Sequence, residues 1–289
     1  MVHLGNRPSQ HKNALRPDTM PRPTPTAISE DPYGGKCDPT YLAAAEQFAT
    51  KHKATALELL ELRPGHKVID IGCGLGADLA RIVPLIAPDG HAVGIDSNPL
   101  TLATAKVRLD SIPTTAQVDL RVADVYRIPF PDNYFDAAHA ERLFLHLAEP
   151  VQAIREVARV LKPGGRFVVT ETDGGSRSVD SRFNATERKL AHFWALMRKN
   201  GYAGRQMFRL LTEADFSGVS AHPTAYHTTD YLLYRTLSRC DVDERQAQKK
   251  RVTWWWPLRR FNKELERNWR NGSFFYSFVV VTVAGEVAK

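Results

Sequence analysis

A glycine-rich run and the acidic residue that follows it carry the clearest chemistry in this chain. The run is Val-Ile-Asp-Ile-Gly-Cys-Gly-Leu-Gly over residues 68–76, and Asp96 ends the apolar stretch Ala-Val-Gly-Ile-Asp twenty residues later. A strand, a glycine turn, a helix and a second strand ending in a carboxylate form a unit that binds an adenine-ribose cofactor. At Gly72 and Gly74 the backbone can approach a ligand where a Cβ atom would collide. Asp96 can accept hydrogen bonds from ribose hydroxyls.

The spacing of the glycines indicates what the cofactor carries. A dinucleotide fingerprint reads G-x-G-x-x-G and places a pyrophosphate at a helix N-terminus, whereas this chain reads Asp70-x-Gly72-x-Gly74-x-Gly76. A carboxylate two residues before the first glycine would repel a pyrophosphate, and it suits a ligand that carries an ammonium group and a sulfonium. The alternative is a glycine-rich turn without a ligand, which fits a multi-residue motif between a strand and a helix less well.

Alternating strands and helices are predicted to position these residues. Apolar and β-branched runs predict strands over 67–71, 91–95, 118–122, 134–139 and 166–171. Helical periodicity predicts helices over 76–86, 99–109 and 149–161. This alternation predicts a parallel, doubly wound sheet, in which ligands bind outside the carboxyl ends of the strands. The glycine run, Asp96, Asp124 and residues 140–142 and 172–174 would then share one crevice.

The two ends of the chain depart from this alternation. Residues 1–36 hold six of the eighteen prolines and few large apolar groups, so we expect a disordered or loosely attached tail before a single domain over 37–289. Helical spacing predicts helices over 41–62 and 206–216, and residues 219–226 are predicted to form a strand. Residues 228–272 are expected to be a helical, basic and aromatic insertion that covers the crevice as a lid. The β-branched run 274–284 is predicted to be the last strand of the sheet.

Composition and charge argue against several classes of protein. The hydrophobic fraction of 43% is ordinary for a globular domain, no apolar run approaches the roughly 20 residues of a membrane helix, and no apolar N-terminal signal is present. The three cysteines are odd in number and far apart, which argues against a disulfide framework or a zinc site and favours the cytoplasm. The net charge of +7 is concentrated between Arg245 and Arg270, so the surface as a whole is not typical of a nucleic-acid-binding protein.

Four motifs together resemble the class I S-adenosylmethionine (SAM) dependent methyltransferases. They are the glycine motif at 70–76, the acidic strand end at 96–98, Ala-Asp-Val at 123–125 with the segment 128–136 after it, and Leu-Lys-Pro-Gly-Gly at 161–165. Within that class the chain is similar to the family of menaquinone/ubiquinone C-methyltransferases and small-molecule methyltransferases of secondary metabolism. The resemblance implies a Rossmann-like α/β fold with a seven-stranded, mostly parallel sheet, an antiparallel last strand and helices on both faces.

The resemblance also implies which residues hold SAM. Asp70 would hold the methionine ammonium and Asp124 the adenine amino group, while the backbone near Ala140 would pass the sulfonium. The implied cofactor residues are Asp70, Gly72, Cys73, Gly74, Gly76, Asp96, Ser97, Asn98, Ala123, Asp124, Val125, Ala140, Glu141, Arg142 and His146.

The residues for catalysis and acceptor binding are less well defined by the pattern. The candidates for a general base are His146, Glu171 and His227, because an imidazole or a carboxylate can take a proton from an acceptor. His146 is favoured instead as a residue that packs on the cofactor or bonds the backbone. The candidates for contact with the acceptor are Tyr33, Tyr41, Asp173, Tyr226, Trp254 and Trp255. No metal ligand cluster is expected, and displacement at a methyl group requires no metal.

The sequence therefore predicts a cytoplasmic enzyme that methylates a small, bulky and largely apolar metabolite of secondary or quinone metabolism. Two alternatives stay open, namely a methyltransferase that acts on RNA or protein and a protein of this fold that binds SAM without methylating. The basic segment with Trp254 and Trp255 is consistent with a lid, with a packed helical pair, with a membrane or subunit contact, or with nucleic-acid binding. Nucleic acid is the least favoured of these, and a homo-oligomer is compatible with the pattern.

Overall fold

A computed structural model of the protein describes residues 49–196, 198–238 and 255–288, which all fall within one compact unit. The helices are α1 (Thr50–Leu59), α2 (Leu79–Ile86), α3 (Pro99–Asp110), α4 (Pro150–Val160), α5 (Asn184–Leu196), α6 (Ala203–Glu213), α7 (Tyr231–Ser238) and α8 (Trp255–Arg270). The strands are β1 (Lys67–Ile71), β2 (His91–Asp96), β3 (Gln117–Val122), β4 (Phe135–Glu141), β5 (Leu161–Val179), β6 (Phe216–Thr228) and β7 (Tyr276–Val287). The predicted tail over 1–36 and the first part of the predicted 41–62 helix lie outside the described residues.

The strands form one sheet in the order β3-β2-β1-β4-β5-β7-β6. Strand β1 pairs in parallel with β2 on one side and β4 on the other, and β7 runs antiparallel to both β5 and β6. The predicted fold, a mostly parallel seven-stranded sheet with an antiparallel last strand, is confirmed. The chain leaves β1 in one direction toward β3 and returns to β4 on the other side, so the crevice for a ligand opens at the carboxyl ends of β1 and β4.

Each face of the sheet is covered by its own hydrophobic cluster. Ile69 and Ile71 of β1 pack in the cluster that includes α4 and α6, whereas Val68 packs in the one that includes α1 and α2. Because successive side chains of a strand point to opposite faces, Asp70 points to the face covered by α1 and α2. The Asp70 carboxylate therefore lies on the side of the sheet that α1 and α2 cover and not in the hydrophobic cluster formed with α4 and α6.

Helices α7 and α8 close a third cluster at the end of the sheet where the last residues of β5 and β6 pair with the first residues of β7. It contains Tyr234, Phe261, Leu265, Phe274 and Tyr276, all of which are buried. The described aromatic side chains of this segment therefore pack against one another. Tyr234, Phe261 and Tyr276 line a cavity of about 20 Å³ together with residues of β5 and α5. Trp254 and the side chain of Trp255 lie outside the described residues.

Two differences from the predicted elements have a physical origin in glycine. Helix α2 begins at Leu79 and not at Gly76, because the glycine turn before it is not helical. Strand β5 continues past Gly174, with a register shift between Asp173 and Ser178. A Cβ atom at Gly174 would lie 2.2 Å from the Trp194 ring. The glycine thus permits α5, a helix that the sequence pattern did not predict, to pack on the strand.

Candidate functional site

The glycine turn after β1 brings the backbone to the edge of the crevice. Gly72, Gly74 and Gly76 have φ angles of +70°, +51° and +72°, a region that favours glycine. The N–H of Gly72 donates to the carbonyl of Ile95 at 2.8 Å, which ties the turn to β2. A Cβ atom at Gly76 would lie 3.1 Å from Ala105 of α3, whereas one at Gly74 would meet no atom nearer than 4.0 Å. Gly76 therefore serves packing, and Gly74 leaves space beside the turn.

The Asp96 carboxylate is held in place by two backbone donors at the end of β2. Its Oδ2 accepts the N–H of Gly74 at 3.0 Å, and its Oδ1 accepts the N–H of Asn98 at 2.8 Å. The side chain of Asn98 caps α3 by accepting the N–H of Leu100 at 2.9 Å, and Ser97 is exposed between them. Each carboxylate oxygen retains a second lone pair, so the group can still accept hydrogen bonds from two hydroxyls.

The end of β3 lies next to that carboxylate. The N–H of Ala123 donates to the Asp96 carbonyl at 3.1 Å, and the exposed Asp124 accepts the N–H of Tyr126 through Oδ1 at 3.0 Å. Val125 is buried beneath the turn. The structure therefore brings the residues predicted from the ends of β1, β2 and β3 to one edge of the sheet.

Substitution of Gly74 by alanine tests whether the space beside the turn is used. A left-handed alanine costs about 1–2 kcal/mol, so the folded state should lose a little stability, while the new methyl group enters the crevice. We expect SAM to bind at least roughly tenfold more weakly. Gly218→Ala is the matched control, because Gly218 has φ +59° and no neighbour within 4 Å but lies on β6. Equal binding losses in the two variants, measured by calorimetry, would contradict the assignment.

Asp70 forms a buried pair with a histidine that the sequence reading did not single out. Its Oδ1 lies 2.9 Å from Nδ1 of His139 on β4, and both residues are 2% exposed. The two residues lie opposite each other in the parallel register of β1 and β4. The Asp70 Oδ2 atom is also buried, and no described residue hydrogen-bonds to it. A buried acceptor atom without a partner is unfavourable unless a ligand satisfies it.

A lysine from α1 links the polar groups around the crevice. The Lys53 ammonium, only 5% exposed, lies 2.5 Å from the Asp78 carboxylate and 2.7 Å from Oε2 of Glu141 at the end of β4. Burial alone would lower the pKa of Lys53, but the charges of Glu141 and Asp78 outweigh it and raise that pKa. Burial would likewise raise the pKa of Glu141, yet His52, Arg142 and Lys53 hold it well below its ordinary value. Both ends of this bridge are therefore charged.

The neighbouring histidine of α1 joins the same network. Nδ1 of the His52 ring lies 2.8 Å from the Tyr226 hydroxyl, and that hydroxyl also accepts the backbone N–H of His52 at 3.0 Å. The other ring nitrogen, Nε2, lies 3.5 Å from Glu141. Tyr226, which the sequence suggested as a contact for the methyl acceptor, is thus hydrogen-bonded to α1. Sequence reasoning missed His52, Lys53, Asp78 and His139. The sequence pattern could have indicated only His139. Residues 137, 139 and 141 occupy every second position of β4 and therefore point to the same face of the sheet, the one covered by α1.

The turn after β4 is shaped by Arg142, which has φ +53°. Its N–H donates to the Thr170 carbonyl at 2.9 Å, and its guanidinium lies 3.2 Å from Glu141. A short 3₁₀ helix over Phe144–His146 follows, and it leaves His146 exposed and Ala140 fully buried. Non-glycine residues with positive φ concentrate at functional sites.

Glu171 is a fully buried carboxyl group behind this turn. Its Oε1 accepts the N–H of Phe144 at 2.5 Å, and its Oε2 is buried with no hydrogen-bond partner among the described residues. Burial raises the pKa of Glu171 to about 8, because charge is costly in a low dielectric. The group therefore retains its proton near neutral pH and supports the turn.

This pKa predicts a pH-dependent contribution to stability. Between the ordinary pKa of a glutamate and about 8, folded Glu171 holds a proton that the unfolded chain releases, so the free energy of unfolding falls as pH rises. The slope is at most about 1.4 kcal/mol per pH unit. We expect Glu171→Gln to gain stability relative to wild type from pH 5.5 to 7.5 in urea unfolding. A difference between the two proteins that stays constant across that range would contradict the prediction.

The remaining sequence candidates lie apart from the network. Asp173 is bound by the Arg205 guanidinium through contacts of 2.8–3.0 Å, and His227 is exposed on the edge strand, stacked on Phe275. Tyr33 and Tyr41 lie outside the described residues. Within the described ranges, no group of three or more His, Cys, Asp or Glu side chains could hold a metal. No helix in those ranges has the length and apolarity that a membrane span requires.

Comparison with known proteins agrees with this geometry. Residues 69–169 match the family model described as a methyltransferase domain. A ubiquinone/menaquinone biosynthesis C-methyltransferase, UbiE of Pseudomonas fluorescens, is 31% identical over 171 residues, which are 59% of this chain and 64% of that protein. An uncharacterized 37.1 kDa protein in transposon TN4556 of Streptomyces fradiae is 34% identical over 175 residues, 60% of this chain and 50% of that protein.

Solved structures show the same fold at low sequence identity. The YcgJ protein of Bacillus subtilis is 17% identical with a TM-score of 0.56, covering 82% of this chain and 98% of its own. The cyclase SpnF is 22% identical with a TM-score of 0.52, covering 84% of this chain and 82% of its own.

Residues 69–169 thus match a methyltransferase domain. The sheet order and the glycine turn have the arrangement that the resemblance to class I SAM-dependent methyltransferases implies. The resemblance to methyltransferases that the four sequence motifs indicated is thereby confirmed for the region that these motifs span. The chain covers about half to two thirds of the length of the curated relatives it matches.

Proposed function

We propose that the crevice binds SAM and that the protein transfers the methyl group of SAM to a small, bulky and largely apolar metabolite. The observation that carries the cofactor assignment is the Asp96 carboxylate, fixed by the N–H groups of Gly74 and Asn98. This carboxylate can accept hydrogen bonds from two ribose hydroxyls, and the glycine turn beside it leaves space for a ligand. The unsatisfied Oδ2 of Asp70 matches the ammonium group of the methionine tail, and the exposed Asp124 matches the adenine amino group.

The reaction would be an in-line displacement at the methyl carbon: the bond from the acceptor to that carbon forms as the carbon–sulfur bond breaks, and the sulfonium of SAM leaves as a neutral thioether. The protein's part is to align the acceptor with the methyl group and to keep water out. We assign part of the exclusion of water to helix α1, because Lys53 and His52 bind it to Glu141 at the end of β4. Of the three candidate bases, Glu171 is buried and bonded to the turn. His146 is exposed on the turn directly after the proposed sulfonium site, so we favour it for any proton transfer.

The acceptor class rests on the relatives of the chain. The similarity to UbiE, whose name assigns it to quinone biosynthesis, supports a small apolar acceptor in secondary or quinone-like metabolism. Helix α8 carries a stripe of exposed basic residues, of which the last two pair with acids of the same helix: Arg259, Arg260, Lys263, Arg267 and Arg270. The opposite side of this helix closes the third hydrophobic cluster. The stripe supports no more specific acceptor.

Incubation of the protein with isotopically labelled SAM tests the proposal. Label should pass to compounds in a library of polyketide, terpenoid, quinone and alkaloid scaffolds, with release of S-adenosylhomocysteine (SAH), and the Asp96→Ala variant should transfer none. Transfer to RNA or protein instead would overturn the acceptor class. Binding of SAM without transfer to any acceptor would favour the non-methylating alternative.

A further inference from the structure

We propose that His139 is a positioning residue that sets the charge of Asp70, so that the protein holds the ammonium group of SAM more tightly once this pair has lost its shared proton. The inference rests on the proposed function and deepens it. It assigns the recognition of the amino-acid tail to a two-residue unit, where the sequence motif points to a single carboxylate.

The geometry makes the two residues one unit. Oδ1 of Asp70 and Nδ1 of His139 are 2.9 Å apart, both side chains are 3% exposed, and neighbouring strands hold them in register. Oδ2 is the remaining acceptor of the carboxyl group, and it is buried without a hydrogen bond from any described residue. An ammonium at Oδ2 would meet a carboxylate whose other oxygen is already engaged by the imidazole.

The charged groups around the pair do not neutralise it. Lys53 of α1 is shared between Asp78, at the start of α2, and Glu141 of β4. The Arg142 guanidinium also lies 3.2 Å from Glu141, so these four groups carry no net charge. The Cys73 thiol of the glycine turn is neutral, because burial raises its pKa. The groups around the pair therefore balance one another, and the pair adds a negative charge to the binding site for the amino-acid tail only when it is deprotonated.

The environment of the pair favours its protonated form. Burial raises the pKa of Asp70, and the bond to His139 offsets this only in part. Burial alone would lower the pKa of His139, but its bond to Asp70 and the Asp70 charge raise it above the ordinary value. A protonated pair is neutral and a deprotonated pair is an anion. Affinity for a cationic tail should therefore rise with pH.

Calorimetry of the full chain with two nucleosides between pH 6.0 and 7.5 tests the inference. SAH carries the ammonium tail, whereas 5′-methylthioadenosine has the same nucleoside without it. We expect SAH to bind at least about threefold and at most about tenfold per pH unit more tightly as pH rises, the limit for one linked proton, and methylthioadenosine to show no such trend. In His139→Asn, which retains a side-chain N–H donor but has no imidazolium charge, the rise in SAH affinity should move to higher pH, because Asp70 loses the group that offsets its burial.

His91→Asn is the matched control, because His91 also pairs with an aspartate on the next strand, Asp119 at 3.0 Å, but at the amino end of the sheet. It should bind SAH with the wild-type pH dependence. Asp70→Asn provides a second variant and should lose SAH affinity while retaining methylthioadenosine. Equal pH trends for the two ligands, or an unchanged trend in His139→Asn, would overturn the inference. Binding of neither ligand by wild type would overturn the proposed function together with it.

Discussion

Substitution of Asp96 by alanine is expected to weaken SAM binding by roughly 100-fold or more. Hydrogen bonds to a charged group contribute about 1.5–3 kcal/mol each, and two ribose hydroxyls would lose their shared acceptor. The carboxylate is held by Gly74 and Asn98, so its position costs nothing further on binding. Isothermal titration with SAH measures the effect.

The matched control for this prediction is Asp110→Ala. Asp110 is an exposed aspartate on α3 that pairs only with Lys106 among the described residues, and its loss should leave SAH affinity unchanged. The Asp96 variant is expected to lose about 1–2 kcal/mol of stability as well, because two N–H groups lose their acceptor. Its fold should be verified by circular dichroism before titration. SAH affinity within a few-fold of wild type in a folded Asp96→Ala protein would sink the assignment.

Substitution of Lys53 by methionine is expected to reduce the free energy of unfolding by about 3–5 kcal/mol, the cost of breaking a buried ion pair. Glu141 is 6% exposed and Asp78 is 17% exposed, so both carboxylates would lose a cation without gaining much water. The expected loss is a large part of the stability of a typical domain. Urea unfolding followed by fluorescence measures it.

Lys51→Met on the same helix is the control, since Lys51 is exposed and such substitutions usually change stability by less than about 0.5 kcal/mol. Glu141→Gln added to Lys53→Met should recover part of the loss, because it removes one of the stranded charges. A Lys53 variant as stable as the Lys51 variant would show that α1 is not fastened to the crevice by this bridge.

The sequence predicted the parts of the site that depend on local pattern. The glycine turn and Asp96 at the end of β2 follow from residue spacing, whereas the antiparallel last strand was implied by the family resemblance. The structure has all three where expected. The role of Asp70 as an ammonium ligand stays a prediction. What the pattern could not give was its partner, because His139 comes sixty-nine residues later and meets Asp70 only through the register of β1 and β4.

The polar network under α1 was missed for a related reason. Lys53 and His52 precede the first motif on a helix whose charged residues resemble a solvated surface. Their burial depends on how α1 packs against β5, β6 and β7. Likewise, Asp173 looked available at a strand end until Arg205 of α6 was seen to bind it. Contacts between distant segments decide whether a polar residue faces a ligand or a neighbouring side chain.

The central claim is that the crevice between β1, β2 and β4 accepts a nucleoside with a charged amino-acid tail and not a dinucleotide. Titration of the wild-type protein with SAH and, separately, with NAD⁺ tests it most directly. We expect saturable binding of one SAH per chain. We expect no binding of NAD⁺, because the Asp70 carboxyl group would repel its pyrophosphate. Binding of NAD⁺ with no binding of SAH would contradict it.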